Sequence, residues 1–79
     1  MSHVPHELAE EFPQMVDEIS ALKSTDAHFA RLFDEYHVIN RAIHRAETNV
    51  EPTDDYHMLE MRKQRMHLKD EIAACLALA

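Results

Sequence analysis

The chain has no glycine, no tryptophan, one cysteine and three prolines among its 79 residues. Glycine normally makes up about 7% of a protein, and its absence removes phosphate-cradling loops, dinucleotide-binding turns and glycine-built oxyanion nests together. A single cysteine, Cys75, allows neither a disulfide framework nor a paired-cysteine metal clip. No apolar run approaches the ~18 residues of a membrane span. The N-terminus, MSHVPHELAEE, has neither a basic start nor an apolar stretch of the kind that directs export. The expected setting is therefore the cytoplasm, with no membrane contact.

Alternating β-branched runs of strand length are also missing, while Ala, Leu, Glu, Met, Arg and Lys dominate. The predicted fold class is all-α. At this length the chain forms one small domain near the limit of what a single core can stabilise. Basic residues number 8 and acidic residues 15, for a net charge of −7 with histidine neutral. That balance disfavours nucleic acid and anionic membranes. It is unevenly spread: residues 1–26 hold six acids and one lysine, whereas residues 56–79 hold Arg62, Lys63, Arg65 and Lys69 against three acids.

The strongest pattern lies in DAHFARLFDEYHVINRAIHRAET. Phe29, Leu32, Tyr36, Ile39, Ile43 and Ala46 recur at spacings of 3, 4, 3, 4 and 3, which places them on one face of a helix and makes them a packing seam. Asp26 is the expected N-cap and Asn49 the residue that closes the C-terminus in place of glycine. A break at Asn49-Val50-Glu51-Pro52 follows, then Thr53 as N-cap with Asp54 and Asp55 in a first turn. The expected architecture is a long antiparallel helical hairpin, about 27–48 and 54–77, with a shorter N-terminal helix at about 13–23. Pro13 suits that helix's first turn and Lys23 its last. Residues 1–11, with His3, Pro5 and His6, are expected to form a flexible extension, with an extra helical turn at 6–12 left open because an apolar stripe begins at Leu8, and 12–79 form the domain.

The second arm of the hairpin carries two apolar flanks. Met61, Leu68, Ile72 and Cys75 make one, and Leu59 and Met66 the other. A basic ridge of Arg62, Arg65 and Lys69 lies between them, and its long stems can cover apolar surface. Two flanks call for two neighbours. One is the first arm; the other is the N-terminal helix, a second copy of the chain or a foreign partner. These six residues are therefore the candidate partner interface. Folding the hairpin at 51–52 pairs Ile43 with Leu59, Tyr36 with Met66, Leu32 with Ile72, and Phe29 with Cys75 and Leu76. The hairpin core is then Phe29, Leu32, Tyr36, Ile39 and Ile43, and Asp34 meets Lys69 as a register ion pair. Asn40, a polar residue inside the seam, is read as fixing register.

The runs FPQMVDEISALK, DAHFARLFDEYHVIN and MRKQRMHLKDEI resemble the YdcH family of small bacterial proteins. The likeness spans about Phe12 to Ile72, and HFARLFDE and LKDE (Leu68 to Glu71) are its most specific parts. It implies a mostly helical hairpin in a bacterial cytosolic setting, with no established activity and no catalytic residues to transfer. The extension before Phe12, and Ala27 where members often place proline, depart from the pattern.

Seven histidines are the oddest feature of the composition. His37 and His44 share a face but stand about 10.5 Å apart along the axis, and no pair is spaced i, i+4, so no metal site is assigned. Their protonation between about pH 7 and 5 carries the net charge from −7 toward zero, and solubility is expected to fall near about pH 5.5. Light scattering across that range reads this directly. Cys75 reads as a buried thiol, since a catalytic thiolate needs a base or a helix N-terminus. Adjacent carboxylates such as Asp34-Glu35 and Asp70-Glu71 do not share a helix face. No nucleophile, base and oxyanion donor converge, so no enzyme, catalytic residue or cofactor is expected. The expected function is a non-enzymatic helical protein–protein interaction module, with homodimerisation open and no partner named by the sequence. The alternatives are a histidine-dependent metal-binding or pH-responsive protein, and a weak nucleic-acid accessory acting through the basic ridge.

Overall fold

The computed structural model describes residues 5–48 and 54–78. Among them there is no strand. The order is α1 (Leu8–Glu11), a 3-10 turn (Pro13–Met15), α2 (Val16–Thr25), α3 (Ala27–Glu47) and α4 (Asp55–Leu78). The hairpin of α3 and α4 runs as the periodicity requires. The radius of gyration is 13.3 Å, above the about 12 Å of a compact chain this long, because α4 alone spans about 36 Å at 1.5 Å per residue.

Local chemistry sets each boundary. The Asp26 carboxylate accepts the N–H groups of His28 and Phe29 at 3.0 and 3.2 Å, the N-cap role the sequence assigned to it. Its own N–H reaches back to the Leu22 carbonyl at 2.8 Å, so one residue ends α2 and begins α3. Hydroxyl groups do what glycine does elsewhere. Ser24 and Thr25 donate to the carbonyls of Ser20 and Ala21 at the end of α2. At the end of α3, Thr48 gives both its N–H and its hydroxyl to the His44 carbonyl, at 3.0 and 2.9 Å. Asn49 and Thr53, expected as caps, lie outside the described residues. Asp54 accepts the His57 N–H at 2.6 Å at the start of α4.

The N-terminal helix differs from its predicted span of 13–23. Pro13 opens a 3-10 turn, and the α-helix proper begins at Val16. Proline fixes φ and brings no N–H, and Phe12 before it is pushed out of the helical region (φ −130°, ψ 63°).

The core has two parts. Leu8 and Ile19 from the N-terminal region pack with Phe29, Leu32 and Tyr36 of α3 and with Leu68, Ile72 and Leu76 of α4. Toward the hairpin turn, Ile43 and Ala46 pack with Met61. Ile39, expected at the core, is partly buried between the two clusters. Leu8 is only 1% exposed and packs in the core. Residues 5–11 are a strap across the hairpin.

The register also needs correcting. Leu32 shares a cluster with Ile72 as expected. Ile43, however, packs with Met61 instead of Leu59, and Tyr36 lies among Leu68 and Ile72 instead of Met66. Summing residue numbers fixes how far two helices slide but not how each turns about its axis. The rotation adopted buries Met61, Leu68, Ile72 and Leu76 and faces Leu59 and Met66 to water. The Asp34–Lys69 pair does not form, since the same rotation points Lys69 at Glu11 (3.3 Å) and Asp34 stays exposed.

Candidate functional site

Polar groups converge where the strap crosses the hairpin. The Tyr36 hydroxyl donates to the His6 carbonyl at 2.6 Å. The Asn40 amide donates to the Pro5 carbonyl at 2.9 Å and accepts from the Arg65 guanidinium at 2.9 Å. Asn40 is 1% exposed, and a buried amide with both ends bonded joins three segments: strap, α3 and α4. This extends the register role read from the sequence. His6 takes up a left-handed backbone (φ 64°), an arrangement that costs a non-glycine residue about 1–2 kcal/mol. The clasp on its carbonyl holds it there.

Around this clasp the charges are ordered. His6 Nδ1 and Lys69 Nζ both approach Glu11 Oε1, at 3.1 and 3.3 Å. Partial burial works against the Glu11 carboxylate, yet the hydrogen bonds and charges of His6 and Lys69 outweigh it and hold the carboxyl below its ordinary value. Burial pushes the Tyr36 phenol up to about 12, with Glu11 and Glu7 adding to the rise and Arg65 opposing it. On the other side of the strap, Glu7 lies 3.4 Å from Arg41 and 2.9 Å from His37 Nδ1. The last contact is off the line of a well-formed hydrogen bond, and neither buried atom has another partner among the described residues.

Beside the strap lies a groove of about 310 Å³ walled by Leu8, Val16, Ile19, Phe33, His37 and Lys23. Lys23 stands over the Phe33 ring at 4.2 Å, and Phe33 meets His37 edge-on at 4.4 Å.

The six candidate interface residues divide. Met61, Leu68 and Ile72 are buried inside the chain, and Cys75 is partly buried against the same cluster. Leu59 and Met66 are 50% and 55% exposed. The second flank of α4 therefore survives as surface and the first does not. The basic ridge is mostly engaged: Arg62 with Glu47 at 2.9 Å, Lys69 with Glu11, and Arg65 with Asn40. Among the described residues, no three histidine, cysteine or carboxylate side chains come together as a metal-ligand set. No described helix is long and apolar enough to cross a membrane. Sequence reasoning missed the strap clasp, whose only signal was Tyr36 and Asn40 as hydrogen-bonding groups four apart in an otherwise apolar seam.

Comparison with known proteins fits this architecture. Residues 29–76, the hairpin without the strap, match the family described as "Protein of unknown function (DUF465)". The chain is also 34% identical over 65 residues to the uncharacterized protein YdcH of Escherichia coli (strain K12), covering 82% of this chain and 88% of that one. YdcH of Shigella flexneri matches to the same extent. No solved structure matches. The hairpin spanned by the family match, together with a likeness that runs through α2 as well, shows that the chain belongs to the YdcH family, DUF465.

Proposed function

We propose that the chain is a non-enzymatic interaction module that docks a protein helix on the outer face of α4, in the cytosol of a bacterium. The observation that carries this reading is the face formed by Tyr56, Leu59 and Met66, which are 73%, 50% and 55% exposed. At about 100° per residue they fall within one narrow sector of the helix, roughly opposite the buried Met61, Leu68 and Ile72. Single exposed apolar residues are ordinary, but three aligned along one helix are a docking face. The polar groups that meet at the strap support a non-enzymatic reading, because they are spent on holding residues 5–11 in place.

In-cell photocrosslinking tests the proposal. A photoreactive amino acid at position 59 or 66 should give a discrete protein adduct, and one at Arg31, exposed on α3, should not. No adduct from either α4 position would end the reading.

A second reading has one observation in its favour. His6 and His37 both sit against strap carboxylates, Glu11 at 3.1 Å and Glu7 at 2.9 Å, which makes histidine side chains part of what borders the strap. Faster hydrogen exchange of residues 5–11 in His6→Ala and His37→Ala at pH 7.5 is its test.

A further inference from the structure

The outer face of α4 has more order than its three apolar residues. Tyr56, Leu59, Lys63, Met66, Asp70, Ala73 and Ala77 follow one another at spacings of 3, 4, 3, 4, 3 and 4, the heptad seam of a helix pair. All are exposed except Ala73, which is half-buried. Lys63 and Asp70 sit in the middle of this seam, and neither makes an ion pair within the chain among the described residues. The charges on the seam are thus both unpaired and opposite in sign.

We infer that the occupant of this face is a second copy of the chain, with the two α4 helices antiparallel about a two-fold axis near Met66; this rests on the interaction reading given above. The numbers of facing residues then sum to about 133. Lys63 of one copy faces Asp70 of the other, and symmetry makes the pair twice. Met66 meets Met66 at the axis, where flexible thioethers adapt to each other. Leu59 lies over Ala73 and Ala74, and Tyr56 over Ala77, so each large side chain meets a small one. A parallel pair in the same register stacks Lys63 on Lys63 and Asp70 on Asp70, and like charges face to face disfavour it. Arg62 and Lys69, which border one side of the seam, already carry Glu47 and Glu11 and add little repulsion.

The test is a charge swap read by sedimentation equilibrium of the full chain. Wild-type protein is expected to dimerise. Lys63→Glu alone and Asp70→Lys alone should each raise the dimer dissociation constant at least about 100-fold, since every substitution acts twice in a two-fold interface. An equimolar mixture of the two variants should dimerise again, because every 63–70 contact between them is once more opposite in sign. Both residues are exposed, and unchanged helical circular dichroism confirms that the variants fold. A monomeric wild type, single variants that still dimerise, or a mixture that stays monomeric would overturn the inference. If the wild type is monomeric while position 59 crosslinks another protein in cells, the interaction reading stands and only the identity of the occupant falls.

Discussion

The Tyr36 hydroxyl donates a 2.6 Å hydrogen bond to the carbonyl of His6, a residue 30 positions away in sequence. Together with the bond from Asn40 to Pro5, it fastens the strap to the hairpin at two successive carbonyls. The donors are one helical turn apart on α3, so the clasp grips the strap at two points where it crosses the hairpin.

Removing the hydroxyl tests the clasp. Tyr36→Phe keeps the ring in the core and leaves the His6 carbonyl without its donor. A loss of about 1–2 kcal/mol in urea unfolding is expected, with faster amide exchange confined to residues 5–12. Unchanged exchange there would show that the Tyr36 bond does not hold the strap.

Asn40 is the more sensitive position. Asn40→Ala removes the partner of both the Pro5 carbonyl and the Arg65 guanidinium, at a position that is itself 1% exposed. About 2–3 kcal/mol of destabilisation is expected, more than for Tyr36→Phe, because two groups are orphaned, one of them charged. A thermal or urea midpoint within error of wild type would refute the three-way link.

Leu8→Ala probes the apolar half of the strap. A buried leucine truncated to alanine costs about 2–5 kcal/mol, while Leu59→Ala on the exposed face should stay within about 0.5 kcal/mol in a monomeric sample. Equal effects at the two sites would contradict the burial of Leu8.

Two groups give stability a pH dependence at opposite ends of the scale. The Glu11 carboxyl lies below its ordinary 4.5, so its contribution is present above that value and is lost as pH falls through the lowered one. Glu11→Gln should flatten the acid limb of a stability–pH curve. The Tyr36 phenol is raised from 10.0 to about 12, so its contribution is full below pH 10 and disappears as pH rises toward 12. In a Tyr56→Phe background, where Tyr36 is the single tyrosine, absorbance at the phenolate band should titrate near 12. Titration near 10 would place Tyr36 in water.

These residues also show what was legible in advance. The seam of α3, the Asp26 cap and the antiparallel hairpin are encoded locally, in spacing and in a carboxylate ahead of an apolar run, and they could be read directly. The two flanks of α4 were equally visible as a pattern. Which one faces inward was not, because Met61, Leu68 and Ile72 resemble Leu59 and Met66 in chemistry, and only packing with Leu8, Ile19 and α3 chooses between them. The Asp34–Lys69 pair failed for the same reason: an apolar stripe from Leu8 through Phe12, Met15 and Ile19 was visible, but Pro13 interrupts it, so the sequence did not show where Glu11 would stand relative to Lys69. The strap itself is held by backbone carbonyls, which every residue carries, and pattern reading cannot see them.

The clasp fixes an order of events during folding. Residues 5–8 are synthesised ahead of every group that holds them: Tyr36, Asn40 and then Leu68 and Ile72 at the far end of the chain. Contacts of such long sequence separation form after the local turns of α3 and α4 have paid their own nucleation cost. The strap's full set of contacts, which includes Leu68 and Ile72, is therefore complete only once α4 has been made.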